Sequence, residues 1–285
     1  MTIDPDFFRQ LASNSHRHSR YDQYFSDKEK SLLNNIEILH GPHVRSELYF
    51  GEIGVINFPF FDMGHITSKK LFGLDEMILF SFYFVNQKRY KNTLDLGANI
   101  GLHTLIMKKL GFHVTSYEPD SNHFNQMKKV MKLNNLTEDG LIPRAISDKK
   151  GKMEYVRVLG NTTGSHLLGS KEKVYGPTDV VDVEVDDISE VLEAGDFDFV
   201  KMDVEGHEAT LLNQISVNSI KKTDIMLEIG SEKNSKVIFE ILKQKEIPAY
   251  AQKINWRQVT TQAELPSHHT HGSVFLSVQG APNWN

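Results

Sequence analysis

Leu94-Asp95-Leu96-Gly97-Ala98-Asn99-Ile100-Gly101 is the stretch on which the reading of the fold turns. Apolar side chains run into a turn with two glycines, where the lack of a Cβ lets a ligand approach the backbone closely at the start of a helix. Before the turn, residues 93–96 read as a buried strand. After it, 102–110 carry helical spacing, 113–117 form the next strand and 121–133 the next helix. That alternation is a βαβ unit, in which parallel strands are joined by a crossover helix.

Working outward towards the C-terminus, a strand is expected around 141–146. An irregular region follows at 149–185, broken by Gly160, Gly164, Gly169, Gly176 and Pro177, and reads as an inserted hairpin and loop. Alternation returns with strand 197–204, helix 207–215, strand 224–229 and helix 234–245. Two last apolar runs, 250–254 and 273–278, have no helix between them and suggest an antiparallel sheet edge. Working back towards the N-terminus, 75–88 reads as a core helix, 47–61 as strand and turn, and 27–39 as a helix in a polar segment that holds His16, Arg17, His18 and Arg20. The expected division is an N-terminal extension with a small cap over residues 1–75 and the main domain over 76–285.

Composition narrows the function. With 285 residues, 39% of them hydrophobic, the chain can build an ordinary core. The absence of cysteine removes disulfides, thiolate nucleophiles and cysteine-held metals. A net charge of -5 provides no broad positive field, so nucleic acid is not the expected partner. The start, Met1-Thr2-Ile3-Asp4-Pro5-Asp6, is unlike a secretory signal, and the run 77–85 is about half of the roughly 20 apolar residues a membrane helix requires. The expectation is a cytoplasmic chain without a membrane partner. The aromatics from Tyr49 to Tyr90 pack either as core or as a lid.

The glycine turn gains meaning from Glu118, which ends the next strand about 20 residues beyond Gly97, the usual place for a carboxylate that accepts ribose hydroxyls. A dinucleotide fingerprint would need glycine where Asn99 stands, and Asp95 would repel a pyrophosphate. The same acidic residue suits the cationic amine or sulfonium of S-adenosylmethionine. A plain turn beside an exposed glutamate, and an NAD site, are the alternatives.

A second charged cluster lies in Phe199-Val200-Lys201-Met202-Asp203-Val204-Glu205-Gly206-His207-Glu208. Period-two geometry puts Lys201, Asp203 and Glu205 on one strand face, where buried charges must either neutralise one another or meet a polar ligand. His207 beside them is either a general base or a helix-start residue facing water. Glu228, at the end of strand 224–229, would bring a further carboxylate to the same sheet edge.

At these residues the sequence resembles the FkbM-type family of S-adenosylmethionine-dependent methyltransferases. Three pieces carry the resemblance: the turn from Asp95 to Gly101, Glu118-Pro119-Asp120, and Lys201 to Glu208. Further similarity lies at Asn134, Ala145-Ile146-Ser147-Asp148 and Leu227-Glu228. The resemblance covers roughly residues 90–230. It implies an α/β, Rossmann-like class I methyltransferase fold, doubly wound, with a mostly parallel seven-stranded sheet and an antiparallel edge strand. It also implies a donor site over Asp95, Gly97, Ala98, Asn99 and Gly101, ribose on Glu118, and adenine near Pro119, Asp120, Ala145 and Ile146. Family members mostly methylate hydroxyl oxygens, often of sugars or secondary metabolites.

The small or carbohydrate acceptor is expected to meet Asn161, Thr162, Ser165 and His166, short polar groups in the insertion that otherwise read as a turn, together with Glu205 and Glu228. Asp203 and His207 are the candidate bases, and Lys201 would orient the acceptor or pair with a carboxylate. Ser267-His268-His269-Thr270-His271 suggests metal binding at first sight, but the run reads as a solvated loop and no metal site is assigned. Asp203, Glu205 and Glu228 could offer oxygens to a divalent ion as a minority reading. The competing functions are a nicotinamide-dependent oxidoreductase and a non-catalytic binding protein on a methyltransferase scaffold.

Overall fold

The computed structural model describes residues 2–39, 47–171, 174 and 176–285, so residues 172, 173 and 175 of the expected insertion lie outside the described residues. At the N-terminus, strands β1 (Thr2–Ile3), β2 (Glu47–Phe50) and β3 (Val55–Asn57) form a three-stranded sheet beside helices α1 (Phe7–Ser13) and α2 (Gln23–Leu39). Helix α3 (Leu74–Asn86) is buried almost all round, which is why its sequence is apolar all round. Phe50, Phe58, Phe72, Phe80, Phe82, Tyr83 and Tyr90 are all buried, so these aromatics are core rather than lid. The extension is tied to the other end of the chain: Trp256 donates through Nε1 to His18 Nδ1 at 3.0 Å, and Ser19 N donates to Asn255 Oδ1 at 2.6 Å.

The main sheet begins with β4 (Asn92–Leu96), α4 (Leu102–Lys109), β5 (His113–Tyr117) and α5 (Ser121–Leu133), then β6 (Leu141–Ile142). The expected strand 141–146 is split, because the chain leaves the main sheet after Ile142. β7 (Ala145–Ser147), β8 (Gly151–Val158), β9 (His166–Leu167) and β10 (Thr178–Asp187) build a separate four-stranded sheet in the order β7-β10-β8-β9. Helix α6 (Ile188–Ala194), capped by the Asp187 side chain, leads to β11 (Phe199–Met202). Then come α7 (Glu208–Gln214), α8 (Val217–Ile220), β12 (Asp224–Glu228), α9 (Glu232–Gln244), β13 (Ala249–Ala251), β14 (Arg257–Gln258) and β15 (Ser273–Leu276).

The strand order is β14-β13-β15-β12-β11-β4-β5-β6. The seven expected strands are present and are extended by the two-residue β14. β15 runs antiparallel to both β12 and β13, and so lies two places inside the sheet, with β13 and the edge strand β14 beyond it. Helices cover both faces. Buried residues of α5 fall at His123, Gln126, Met127, Val130 and Met131, and those of α9 at Asn234, Ser235, Ile238, Ile241 and Leu242, the spacing of a single helical stripe. The order of strands reverses between β4 and β11, and clefts form beyond the carboxyl ends of the strands at such a switch point. Among the described residues no helix is long and apolar enough to cross a membrane.

Candidate active site

A cavity of about 600 Å³ opens at that switch point, over the carboxyl ends of β4, β5, β11 and β12. Gly97, Asn99, Glu118, Pro119, Ala145 and Ile146 line one end, which we call the donor end. Asp203, Glu205, His207 and Glu228 line the other, which we call the acceptor end, with Asn161, Thr162, Ser165 and His166 from the insertion. Residues some 100 apart in sequence thus converge on one space.

At the donor end the backbone is fully committed. The amides of Gly97 and Ala98 donate to Tyr117 O at 3.1 and 3.0 Å, and that of Gly101 to Ala98 O at 2.9 Å. Asn99 N donates to Glu118 Oε2 at 2.8 Å, and Ile100 N to Asn99 Oδ1 at 2.7 Å. Every N–H from 97 to 101 is therefore used inside the protein, and the glycine turn itself keeps no amide for a pyrophosphate, whose recognition draws on such groups. Gly97 has φ +79°, and a Cβ there would stand 1.8 Å from Asp203 O, so the turn closes against the chain leaving β11.

Glu118 is 4% exposed, and its second oxygen accepts the amide of Asp120 at 2.8 Å. Burial pushes its carboxyl up to about 8 against the pull of the two amides. Each oxygen keeps a lone pair for a ligand hydroxyl. The residues present thus fit the adenosine part of S-adenosylmethionine, with Tyr117, Pro119, Ala145 and Ile146 adding apolar surface around Glu118.

Four expected donor-site residues sit elsewhere. Asp95 is fully buried beneath the turn rather than facing the cavity: its Oδ2 accepts from Thr104 Oγ1 at 2.7 Å, and Oδ1 lies 3.8 Å from Lys201 Nζ. Ala98 is buried off the lining, and Gly101 starts α4 at φ +87° packed against Met127. Asp120 caps α5 through the amides of Asn122 and His123 and binds Arg157 Nε at 2.6 Å. Burial would raise its carboxyl, but Arg157 and the capping amides outweigh it and hold it below the usual range.

At the acceptor end β11 stops at Met202, so period-two geometry does not extend to Asp203 and Glu205. Lys201 does face its register partner Asp95, and its Nζ lies 3.4 Å from both Gly97 O and Asp203 Oδ2. Burial disfavours that cation, yet Asp203, Asp95, Glu76 and Glu228 together raise its pKa; Lys201 is a buried counter-ion, not a cavity wall. Glu205, at φ +54°, pairs with Lys171 from the insertion. Burial and the neighbouring Asp203 and Glu76 push the Glu228 carboxyl well above its ordinary range.

His207 neither faces water nor offers a free nitrogen. Nε2 lies 2.9 Å from Ser147 Oγ and Nδ1 3.0 Å from Ser170 Oγ, while burial lowers its pKa. Thr162 Oγ1 is 2.8 Å from His123 Nε2, Ser165 Oγ accepts the Val158 amide at 3.0 Å, and His166 Nδ1 lies 2.9 Å from Gly164 O.

Sequence reasoning missed Glu76, Lys171, Glu208 and the pair His268 and His269. Glu76 and Asp75 are the two charges in the apolar α3, a signal that was available; Glu76 lines the cavity with Oε2 2.7 Å from His103 Nε2. Glu208 holds the turn through the amides of Val204 and Gly206, both at 3.1 Å. The His-rich loop is not merely solvated, since His268 and His269 line the cavity. Among the described residues no three His, Asp or Glu side chains are grouped to hold a metal ion.

A glycine turn and a carboxylate at the switch point of a doubly wound sheet, closed by an inner antiparallel strand, define a Rossmann-like chain of the class I methyltransferase type. Residues 95–256, more than half of the chain, match the methyltransferase FkbM domain, and the chain belongs to that family. No curated protein matches. Solved structures similar to it include a ribosomal protein L11 methylase from Lactobacillus delbrueckii subsp. bulgaricus (10% identity, 69% of this chain and 75% of that one, TM-score 0.36). An S-adenosylmethionine-dependent methyltransferase from Agrobacterium tumefaciens is similar at 9% identity, over 71% of this chain and 61% of that one, with TM-score 0.36. For a precorrin-6y C5,15-methyltransferase from Geobacter metallireducens GS-15 the values are 10%, 70%, 86% and 0.34.

Proposed function

We propose that this chain transfers a methyl group from S-adenosylmethionine to a hydroxyl oxygen of a small or sugar-like acceptor. The observation that carries the reading is the internal use of every amide from 97 to 101 beside a buried Glu118. A nicotinamide dinucleotide would find no free backbone donors there, whereas a nucleoside without a pyrophosphate needs none.

The donor supplies a methyl group already activated on sulfur. The chain's part is then to bind and align. Glu118 accepts ribose hydroxyls, and Lys201 holds Asp203 in place at the acceptor end. Asp203, Glu205, Asn161 and Thr162 offer the oxygens and amide that a polyhydroxylated acceptor would bind. Alignment of this kind is worth up to roughly 7–11 kcal/mol of the barrier.

Calorimetric titration with S-adenosylmethionine, its demethylated product and NAD tests the donor. Selective binding of the first two, lost in Glu118→Ala, is the expected result. Binding of NAD, or donor binding untouched by the substitution, would overturn the reading.

A further inference from the structure

Removing the acceptor's proton needs a base free to face it, and most ionisable groups around the cavity are already bound to partners inside the protein. Lys201 is a stabilised cation, and burial with the neighbouring carboxylates disfavours the charged form of Glu228. Glu76 is bound to His103, Asp203 lies against Lys201, and Glu205 is paired with Lys171. Of the cavity's imidazoles, His207 has both nitrogens on serine hydroxyls, while His123, His166 and His268 each have one committed, the last to Thr270.

His269 is different. It lines the cavity, is exposed, and makes no hydrogen bond to any described residue; its ring is held by stacking on His268 with centroids 4.0 Å apart. The turn that carries it is pinned by a bridge between His268 and Ser231, three residues after Glu228.

Resting on the hydroxyl-methylation reading, we propose that His269 is the general base of the acceptor end. The acceptor oxygen bonds to the methyl carbon as the carbon–sulfur bond of the donor breaks and its electron pair stays on sulfur. The hydroxyl proton passes to a ring nitrogen of His269, which becomes an imidazolium. Partial desolvation at the cavity wall lowers the pKa of His269, and so do the charges that face it: His268 and His271 on its own turn, Lys171 from the insertion and Arg20 from the N-terminal segment. A ring that is neutral at pH 7 is able to take a proton.

The test uses the full chain with S-adenosylmethionine and a panel of methyl glycosides and catechol as hydroxyl probes, across pH 5–9. Loss of His269 in His269→Gln is expected to slow transfer by roughly 10²–10⁴-fold and to remove the acidic limb of the kcat/KM profile, with donor affinity by calorimetry unchanged. Ring NMR of the protein without substrates should show His269 titrating below 6.5. A variant that keeps both rate and acidic limb, or a His269 ring still cationic at pH 7, overturns the assignment while leaving the methyltransferase reading intact. Donor binding without transfer to any probe overturns the hydroxyl reading itself, and this inference with it.

Discussion

The two ends of the cavity are built from different materials. At the donor end the shape is set by main chain: glycine φ angles, amides turned inward, and a carboxylate locked by two N–H groups. At the acceptor end it is set by side chains that meet across long sequence separations: Lys171 with Glu205, Lys201 with Asp95, Glu76 with His103. A backbone site has one geometry, and most substitutions that add atoms to it must break it. A side-chain site can be rewired residue by residue, which is how one scaffold serves many acceptors.

The contrast is broken most directly at Gly97. Gly97→Ala places a Cβ 1.8 Å from Asp203 O at φ +79°, so we expect a loss of about 4 kcal/mol or more in urea unfolding, together with loss of donor binding. Gly111 has a similar φ of +88° but nothing within 4 Å, and Gly111→Ala should cost only the conformational penalty of about 1–2 kcal/mol. Equal costs for the two would show the donor turn to be no more constrained than a surface turn.

A smaller, pH-dependent effect is expected at Glu208, which lies between the two ends. Burial pushes its folded-state pKa up to about 7 from an ordinary 4.5. The native state therefore binds more protons than the unfolded chain, and the contribution of this group to stability, complete below about pH 4.5, is lost as pH rises to about 7. Glu208→Gln keeps an acceptor for the Val204 and Gly206 amides and, with the Asn234 amide turned, a bond to Asn234. Its stability should fall less than that of the natural chain between pH 4.5 and 7; parallel profiles would refute the assignment.

The mildest change is expected at Lys171. Both partners of its pair are about one-third exposed, so Lys171→Met should alter stability by less than about 1 kcal/mol and leave donor affinity unchanged. A large loss of donor affinity would mean that the two ends are not separately built.

The same division explains what the sequence disclosed. Gly97, Asn99 and Glu118 were legible because backbone turns impose spacing on residues close in the chain, and the helices expected at 102–110, 121–133 and 234–245 declared themselves by periodicity, within two residues of Leu102–Lys109, Ser121–Leu133 and Glu232–Gln244. The partner of Glu205 was not, since nothing local in Lys171 tells which distant group it will face, and nothing local marks His269 as a residue of the cavity. Asp95 was misplaced for a related reason: charge alone suggested a ligand, whereas register with Lys201 buries it under the turn. The inward position of β15 was hidden too, because an antiparallel strand carries no mark of whether it pairs on one side or on two.

That inward strand also sets an order of assembly. On a ribosome adding roughly 5–20 residues per second, the chain through Ile146 emerges about 6–25 s before Ser273. Until β15 arrives to slot between β12 and β13, the imidazoles on the turn before it have no place to stand. The turn and the carboxylate that would hold the donor are therefore made well before the imidazoles that would face the acceptor.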